Sequence, residues 1–127
     1  MLIFLAESDK NLRLALQMLL HQEAGMHVAG LAMKAEGLLA QENASQADVL
    51  LLDCYLSGSP MTAFLADLSK VQTLPKVIVL SVKPEDEKAV MSAGSDAFVT
   101  KNTEPDELLI ILNSMMEEKK QIRDKLK

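Results

Sequence analysis

Aromatic residues are scarce in this 127-residue chain: no tryptophan, one tyrosine and three phenylalanines. Few platforms therefore exist on which nucleic-acid bases could stack. A formal net charge of -5 and a pI near 5.0 also argue against direct nucleic-acid binding. The single cysteine, Cys54, excludes an intrachain disulfide and a cysteine-built zinc site, and suits a reducing, cytoplasmic setting. No apolar run approaches the roughly 18 residues of a membrane span, so no membrane association is expected. The apolar start, Met1 to Ala6, is stopped by Glu7-Ser8-Asp9. It is too short for a signal-peptide core and lacks a basic leader. Repeats, low-complexity segments and internal linkers are absent as well.

What is present suits one globular domain. Hydrophobic residues make up 49% of the chain and charged residues 24%, which excludes both disorder and a membrane protein. A chain this long buries roughly two-thirds of its unfolded surface and needs no disulfide or structural metal.

Short apolar runs alternate with segments of helical spacing. Strands are expected at Met1–Ala6, Met26–Leu31, Val49–Leu52, Val77–Leu80 and, more weakly, Ala97–Thr100. Ser8 or Asp9 can cap a helix carrying Leu12, Ala15, Leu16, Leu19 and Leu20, which Gly25 ends. Further helices are expected over Lys34–Asn43, after the Ser57–Pro60 turn, and from Pro84-Glu-Asp-Glu87 to Gly94. Thr103-x-x-Asp106 predicts a capping box for the last helix. Five strand–helix pairs with short connections imply a doubly wound, parallel α/β sheet.

The domain is expected to occupy residues 1–116. Residues 117–127 hold five basic and three acidic side chains, and Ile122 and Leu126 continue the helical spacing of Leu108, Leu112 and Met115. This stretch reads as an extension of the last helix, serving as a stalk or dimer seam, or as a linker.

In an open parallel sheet, ligands bind beyond the carboxyl ends of the strands. Glu7 and Ser8 follow the first apolar run, Asp53 the third, Ser81 the fourth and Lys101 the fifth. Parallel strands put these ends on one side. Two carboxylates beside an ammonium and a hydroxyl can bind Mg²⁺ and a phosphoryl group, and an aspartate there can attack phosphorus. Cys54, one residue beyond Asp53, is expected to be a buried, inert thiol on the opposite face.

Four segments carry a resemblance: Leu5-Ala-Glu-Ser-Asp9, Asp48-Val-Leu-Leu-Leu-Asp53, Val79-Leu-Ser81 and Phe98-Val-Thr-Lys101. In order and spacing they resemble the receiver domain of two-component response regulators. Lys101-Asn-Thr-Glu-Pro-Asp-Glu-Leu108 looks like the NarL/LuxR-type subfamily. The resemblance implies a CheY-like, flavodoxin-like (βα)5 sheet in the order 2-1-3-4-5. It implies that Asp53 is the phosphoacceptor for a sensor histidine kinase, with Mg²⁺ as cofactor. Glu7, Asp53 and the Tyr55 backbone carbonyl would hold the metal, with Lys101 balancing charge. Ser81 and Phe98 would form the switch.

The resemblance further implies homodimerisation through the helices near Pro84–Ser92 and Glu107–Met116, and signalling rather than enzymatic function. The output would be transcription if a DNA-binding domain follows in a longer chain. Two departures stand out. The second acidic metal position falls on Ser8, with Asp9 as the nearby alternative, and the loop after Asp53 carries Ser57 and Met61 where the family has proline and glycine. A receiver with fold and partner surface but no useful Mg²⁺ binding, working independently of phosphorylation, is the alternative. A metal-dependent phosphatase would need an acid or base near Asp53, and two places on stands Tyr55.

Overall fold

The computed structural model describes residues 1–35, 38, 46–56, 60–70 and 75–126. Five strands, β1 (Leu2–Ala6), β2 (His27–Ala32), β3 (Val49–Asp53), β4 (Lys76–Ser81) and β5 (Ala97–Thr100), form one parallel sheet in the order β2-β1-β3-β4-β5. Four helices lie among the described residues: α1 (Lys10–His21), α2 (Met61–Leu68), α3 (Glu87–Ser92) and α4 (Pro105–Lys125). A 3-10 turn, Pro84–Asp86, leads into α3. The helix expected over Lys34–Asn43 and the turn over 57–59 fall mostly outside the described residues. Within the former, Ala35 and Leu38 are buried.

The apolar runs of β1, β3 and β4 become strands covered on both faces. Successive side chains of a strand point to opposite sides. Phe4 and Ala6 of β1, with Leu50 and Leu52 of β3 and Val77 and Val79 of β4, pack against Phe64, Leu65 and Leu68 of α2 and Val90 of α3. Ile3, Leu5, Val49, Leu51, Ile78, Leu80 and Val99 turn the other way, onto Leu16 and Leu20 of α1 and Leu108 and Leu112 of α4. Every residue of β3 is buried. Each such aliphatic side chain contributes roughly 1.5–3 kcal/mol relative to exposure, so the two layers fix β3 in the middle of the sheet.

The ends of the helices follow local chemistry. Asp9 caps α1, its Oδ1 accepting from the amides of Asn11 and Leu12 at 2.9 and 3.0 Å. Gly94 closes α3 with φ +116°, a conformation other residues rarely adopt. The capping box expected at Thr103 does not form. Pro105, whose ring presets a helical φ, takes the first helical position, and Glu104 stands at the cap without a side-chain bond. Thr103 Oγ1 instead donates to the Thr100 carbonyl at 2.7 Å. Beyond Met116 the last helix continues, largely exposed, to Lys125. Lys119 ties it back to the domain through an ion pair with Asp48.

Candidate functional site

Strand register assembles the site. Ala6 stands opposite Leu52, Asp53 opposite Leu80, and Ser81 opposite Thr100. The next residues along each strand, Glu7, Asp53, Ser81 and Lys101, therefore meet beyond the carboxyl edge of the three central strands and β5. Two main-chain bonds extend the register past the strands: Cys54 N to Leu80 O at 2.8 Å, and Lys101 N to Ser81 O at 2.7 Å. Arg13 Nη1 donates to the Glu7 carbonyl at 2.8 Å and steadies the β1 end.

Two carboxylates share one ammonium. Glu7 and Asp53 are 0% and 2% exposed. Lys101 Nζ donates to Asp53 Oδ1 at 3.0 Å and to Glu7 Oε2 at 3.1 Å. It also lies 2.9 Å from Glu7 Oε1, but without hydrogen-bonding geometry, so that buried oxygen has a charge beside it and no hydrogen bond. Asp53 Oδ1 accepts a second bond, from the Tyr55 amide at 3.1 Å, and Oδ2 accepts the Ser8 hydroxyl at 2.6 Å.

These contacts give the two acids opposite tendencies. Burial pushes Asp53 up, but the bonds from Ser8, Lys101 and the Tyr55 amide outweigh it and hold the acid below the ordinary carboxylate value. Burial also dominates at Glu7, where the Asp9 amide and Lys101 oppose it incompletely and the Asp53 charge adds to it; Glu7 is raised. Burial lowers Lys101, yet its bonds to Glu7 and Asp53 win and raise it, so it stays protonated. Of the two acids, Asp53 is the one whose surroundings favour the ionised form.

Of the other expected residues, Ser81 is fully buried but turned elsewhere: its hydroxyl donates to Asp86 Oδ2 at 2.8 Å and accepts from the Lys83 amide at 3.0 Å. Phe98 is half-buried against the layer formed with α2 and α3. Cys54 is half-buried rather than buried, because the chain turns after Asp53 and sets its sulfur 3.8 Å from Asp86 Oδ2. Burial, then the charges of Asp86 and Asp53, push that thiol up and keep it protonated.

Sequence reasoning overlooked Asp86. Its Oδ2 also accepts the Tyr55 hydroxyl at 2.6 Å, which pushes the phenol up to about 12, with Lys83 Nζ 5.2 Å from the centre of that ring. The run Pro84-Glu-Asp-Glu87 signalled only a helix start, and nothing in it singles out the third residue.

A family model of the response regulator receiver domain matches residues 3–113. The chain belongs to that family. Solved receiver structures share its fold. The receiver domain of the Francisella response regulator 1452 is 23% identical with TM-score 0.80, covering 93% of this chain and 98% of that one. A DNA-binding response regulator of the LuxR family from Staphylococcus aureus is 21% identical with TM-score 0.79, covering 90% and 97%. RcsB from Salmonella enterica serovar Typhimurium, solved on promoter P1flhDC with the phosphomimetic BeF3-, is 18% identical with TM-score 0.82. The receiver spans 92% of its own length but 60% of RcsB. At such identities the likeness is one of fold. No curated protein matches the chain in sequence.

Receiver domains typically use Mg²⁺ at the phosphorylation site, and the donors here fit that ion. Glu7 Oε1, buried without a hydrogen bond, and the buried Asp53 carboxylate are hard oxygen donors at one strand edge, and Tyr55 follows in the turn after Asp53. The set has two carboxylates, with neutral Ser8 beside them. Among the described residues no group of three or more acidic, histidine or cysteine side chains gathers around a metal position. Asp9, the neighbouring acid, caps α1 through its Oδ1. Nor is any helix among the described residues long and apolar enough to cross a membrane.

Proposed function

We propose that this receiver is switched by phosphorylation of Asp53 by a sensor histidine kinase in the cytoplasm. The observation that carries the reading is the convergence of Asp53 and Glu7, from two strand ends, within 3.1 Å of the Lys101 ammonium at the end of a third. An Asp53 oxygen attacks the phosphorus of a phosphohistidine. A P–O bond forms, the P–N bond breaks, and the imidazole leaves with the bonding pair and takes up a proton. Oδ2, with its one bond from Ser8, is less engaged than Oδ1, and we assign it as the nucleophile.

Lys101 neutralises charge on the phosphoryl oxygens, and Ser8 replaces an acidic ligand by a hydrogen-bond donor. Mg²⁺, held by Glu7, Asp53 and the Tyr55 carbonyl, supplies further neutralisation of the transferring group. The chain then acts as a signalling domain, with at most slow self-dephosphorylation. A phosphorylation-independent role is not favoured, because the acceptor, the lysine and the hydroxyl all stand at their strand ends.

The phosphorylated state signals through the face formed by α3, β5 and α4, where Met91 and Ile110 are exposed apolar residues, 40% and 68%. Homodimerisation there, the NarL/LuxR-type assignment and a transcriptional output in a longer chain belong to the same reading. So does the division into a receiver over 1–116 and a helical extension over 117–127. The acidic surface is not itself a DNA contact.

Intact-mass measurement after incubation with acetyl phosphate tests the assignment. One phosphoryl group should be gained with Mg²⁺, far less without it, and none in Asp53→Ala. Labelling that persists in Asp53→Ala would move the acceptor elsewhere.

A further inference from the structure

The Ser81 hydroxyl has one proton to donate, and in this structure it goes to Asp86 rather than toward Asp53. The same carboxylate oxygen takes the Tyr55 hydroxyl at 2.6 Å. Tyr55 belongs to the turn after Asp53, and its amide holds Asp53 Oδ1. Asp86 ends the 3-10 turn after β4, fixed by its amide to the Lys83 carbonyl at 3.1 Å. One oxygen therefore bridges the loop beside the acceptor and the loop beside the switch hydroxyl. The Lys83 ammonium over the Tyr55 ring adds a cation–π contact to the same bridge. Phe98 has no hydroxyl, so among these residues the phenol available for hydrogen bonding near the switch is that of Tyr55.

We propose that Asp86 is a positioning residue that parks the Ser81 hydroxyl away from Asp53 in the resting receiver, with Tyr55 as its second anchor. The proposal rests on the phosphoacceptor reading above. Before Ser81 can reach a phosphoryl oxygen it must release a charge-assisted hydrogen bond, one of the stronger kinds in proteins. That bond biases the receiver toward its resting arrangement and lowers its apparent affinity for anything that mimics the phosphorylated state.

Titration of the full chain with beryllofluoride and saturating Mg²⁺, followed by amide NMR shifts, reads this directly. Asp86→Ala should bind roughly tenfold more tightly than wild type. Asp86→Asn, which keeps a neutral acceptor and the local fold, should fall between. The effect must pass through Ser81: Asp86→Ala combined with Ser81→Ala should bind no better than Ser81→Ala alone. The gain should come with a shift of the Lys83 amide, which donates to the Ser81 oxygen.

Wild-type binding with no gain in Asp86→Ala would overturn the latch and leave the phosphoacceptor reading standing. A gain that survives loss of Ser81 would also overturn it, assigning Asp86 a role through other contacts. If neither wild type nor variant binds with excess Mg²⁺, both readings fall. Binding by Asp86→Ala where wild type fails would support the latch in its strongest form.

Discussion

Ser8 shows how one side chain redistributes the electrostatics of a site. A third carboxylate at this position would add metal affinity and repel the two acids that already share Lys101. The hydroxyl instead donates to Asp53 at 2.6 Å and helps keep it ionised despite burial. Ser8→Asp should therefore act in two directions. Mg²⁺ should bind on the order of tenfold more tightly, since ligand charge count tunes affinity at oxygen sites. The metal-free protein should melt at lower temperature, because a hydrogen bond becomes a like-charge contact, and Mg²⁺ should restore the loss. Calorimetric Mg²⁺ titration paired with melting curves checks both. An unchanged Mg²⁺ affinity would show that Ser8 is not placed to become a ligand.

The elements differ in how firmly they are held. β1, β3 and β4 are buried on both faces, whereas α4 leaves the core after Met116 and is exposed over its last two turns. Its tether is Asp48, whose carboxylate accepts from the Leu2 amide through one oxygen and from Lys119 through the other. Burial pushes Asp48 up, but the Lys119 and Leu2 bonds outweigh it and hold the acid below its ordinary value of 3.8. A depressed carboxylate adds stability that is present above the unfolded value and lost as pH falls through the folded one. The contribution should thus persist at neutral pH, begin to fade near the ordinary value of 3.8 and be lost as pH falls through the lower folded value. Asp48→Asn should lower stability at pH 7 by about 1 kcal/mol or less, as for other exposed pairs. The difference from wild type should vanish in acid. Hydrogen exchange should show earlier opening of residues 117–125 in that variant at neutral pH, and unchanged exchange there would mean that the ion pair does not restrain the helix.

At the scale of the whole molecule, the sheet separates two poles. The carboxyl edge gathers Glu7, Asp53, Ser81 and Lys101, while the Asp48–Lys119 pair sits at the opposite edge, where β3 begins. Under the proposed function, a change at Asp53 travels through β4 and β5, where Lys101 and Ser81 are joined by a main-chain bond and Phe98, on β5 opposite Val79, packs against the α2–α3 layer. If the α3–β5–α4 face is where copies meet, Ile110, exposed on α4, should lie in the contact. Ile110→Glu should then abolish dimer formation by the phosphorylated or beryllofluoride-bound protein while leaving phosphoryl uptake intact. Light scattering after size-exclusion chromatography reads the mass, and a dimer that survives the substitution would place the contact on another face.

Much of this was legible in the linear chain. Short, fully apolar runs such as Val49–Leu52, bounded by polar residues, carry the signature of strands covered on both faces, and their alternation with helices implies parallel pairing. Polar residues directly following those runs had to collect at one edge, which is why Glu7, Asp53, Ser81 and Lys101 could be chosen as a set. Local competition was harder to read: Pro105 displaced the capping box at Thr103 because a ring that presets φ starts the helix one residue later than that cap would. The direction of each polar side chain was beyond sequence reasoning altogether. Ser81 could be placed at the site but not aimed, since a hydroxyl's partner depends on which acid the neighbouring loop delivers. Asp86 became that partner only when the 3-10 turn folded it back over β4. Strand ends follow from hydrophobic pattern, which is local; the hydrogen bonds between loops depend on distances that exist only after the sheet has closed.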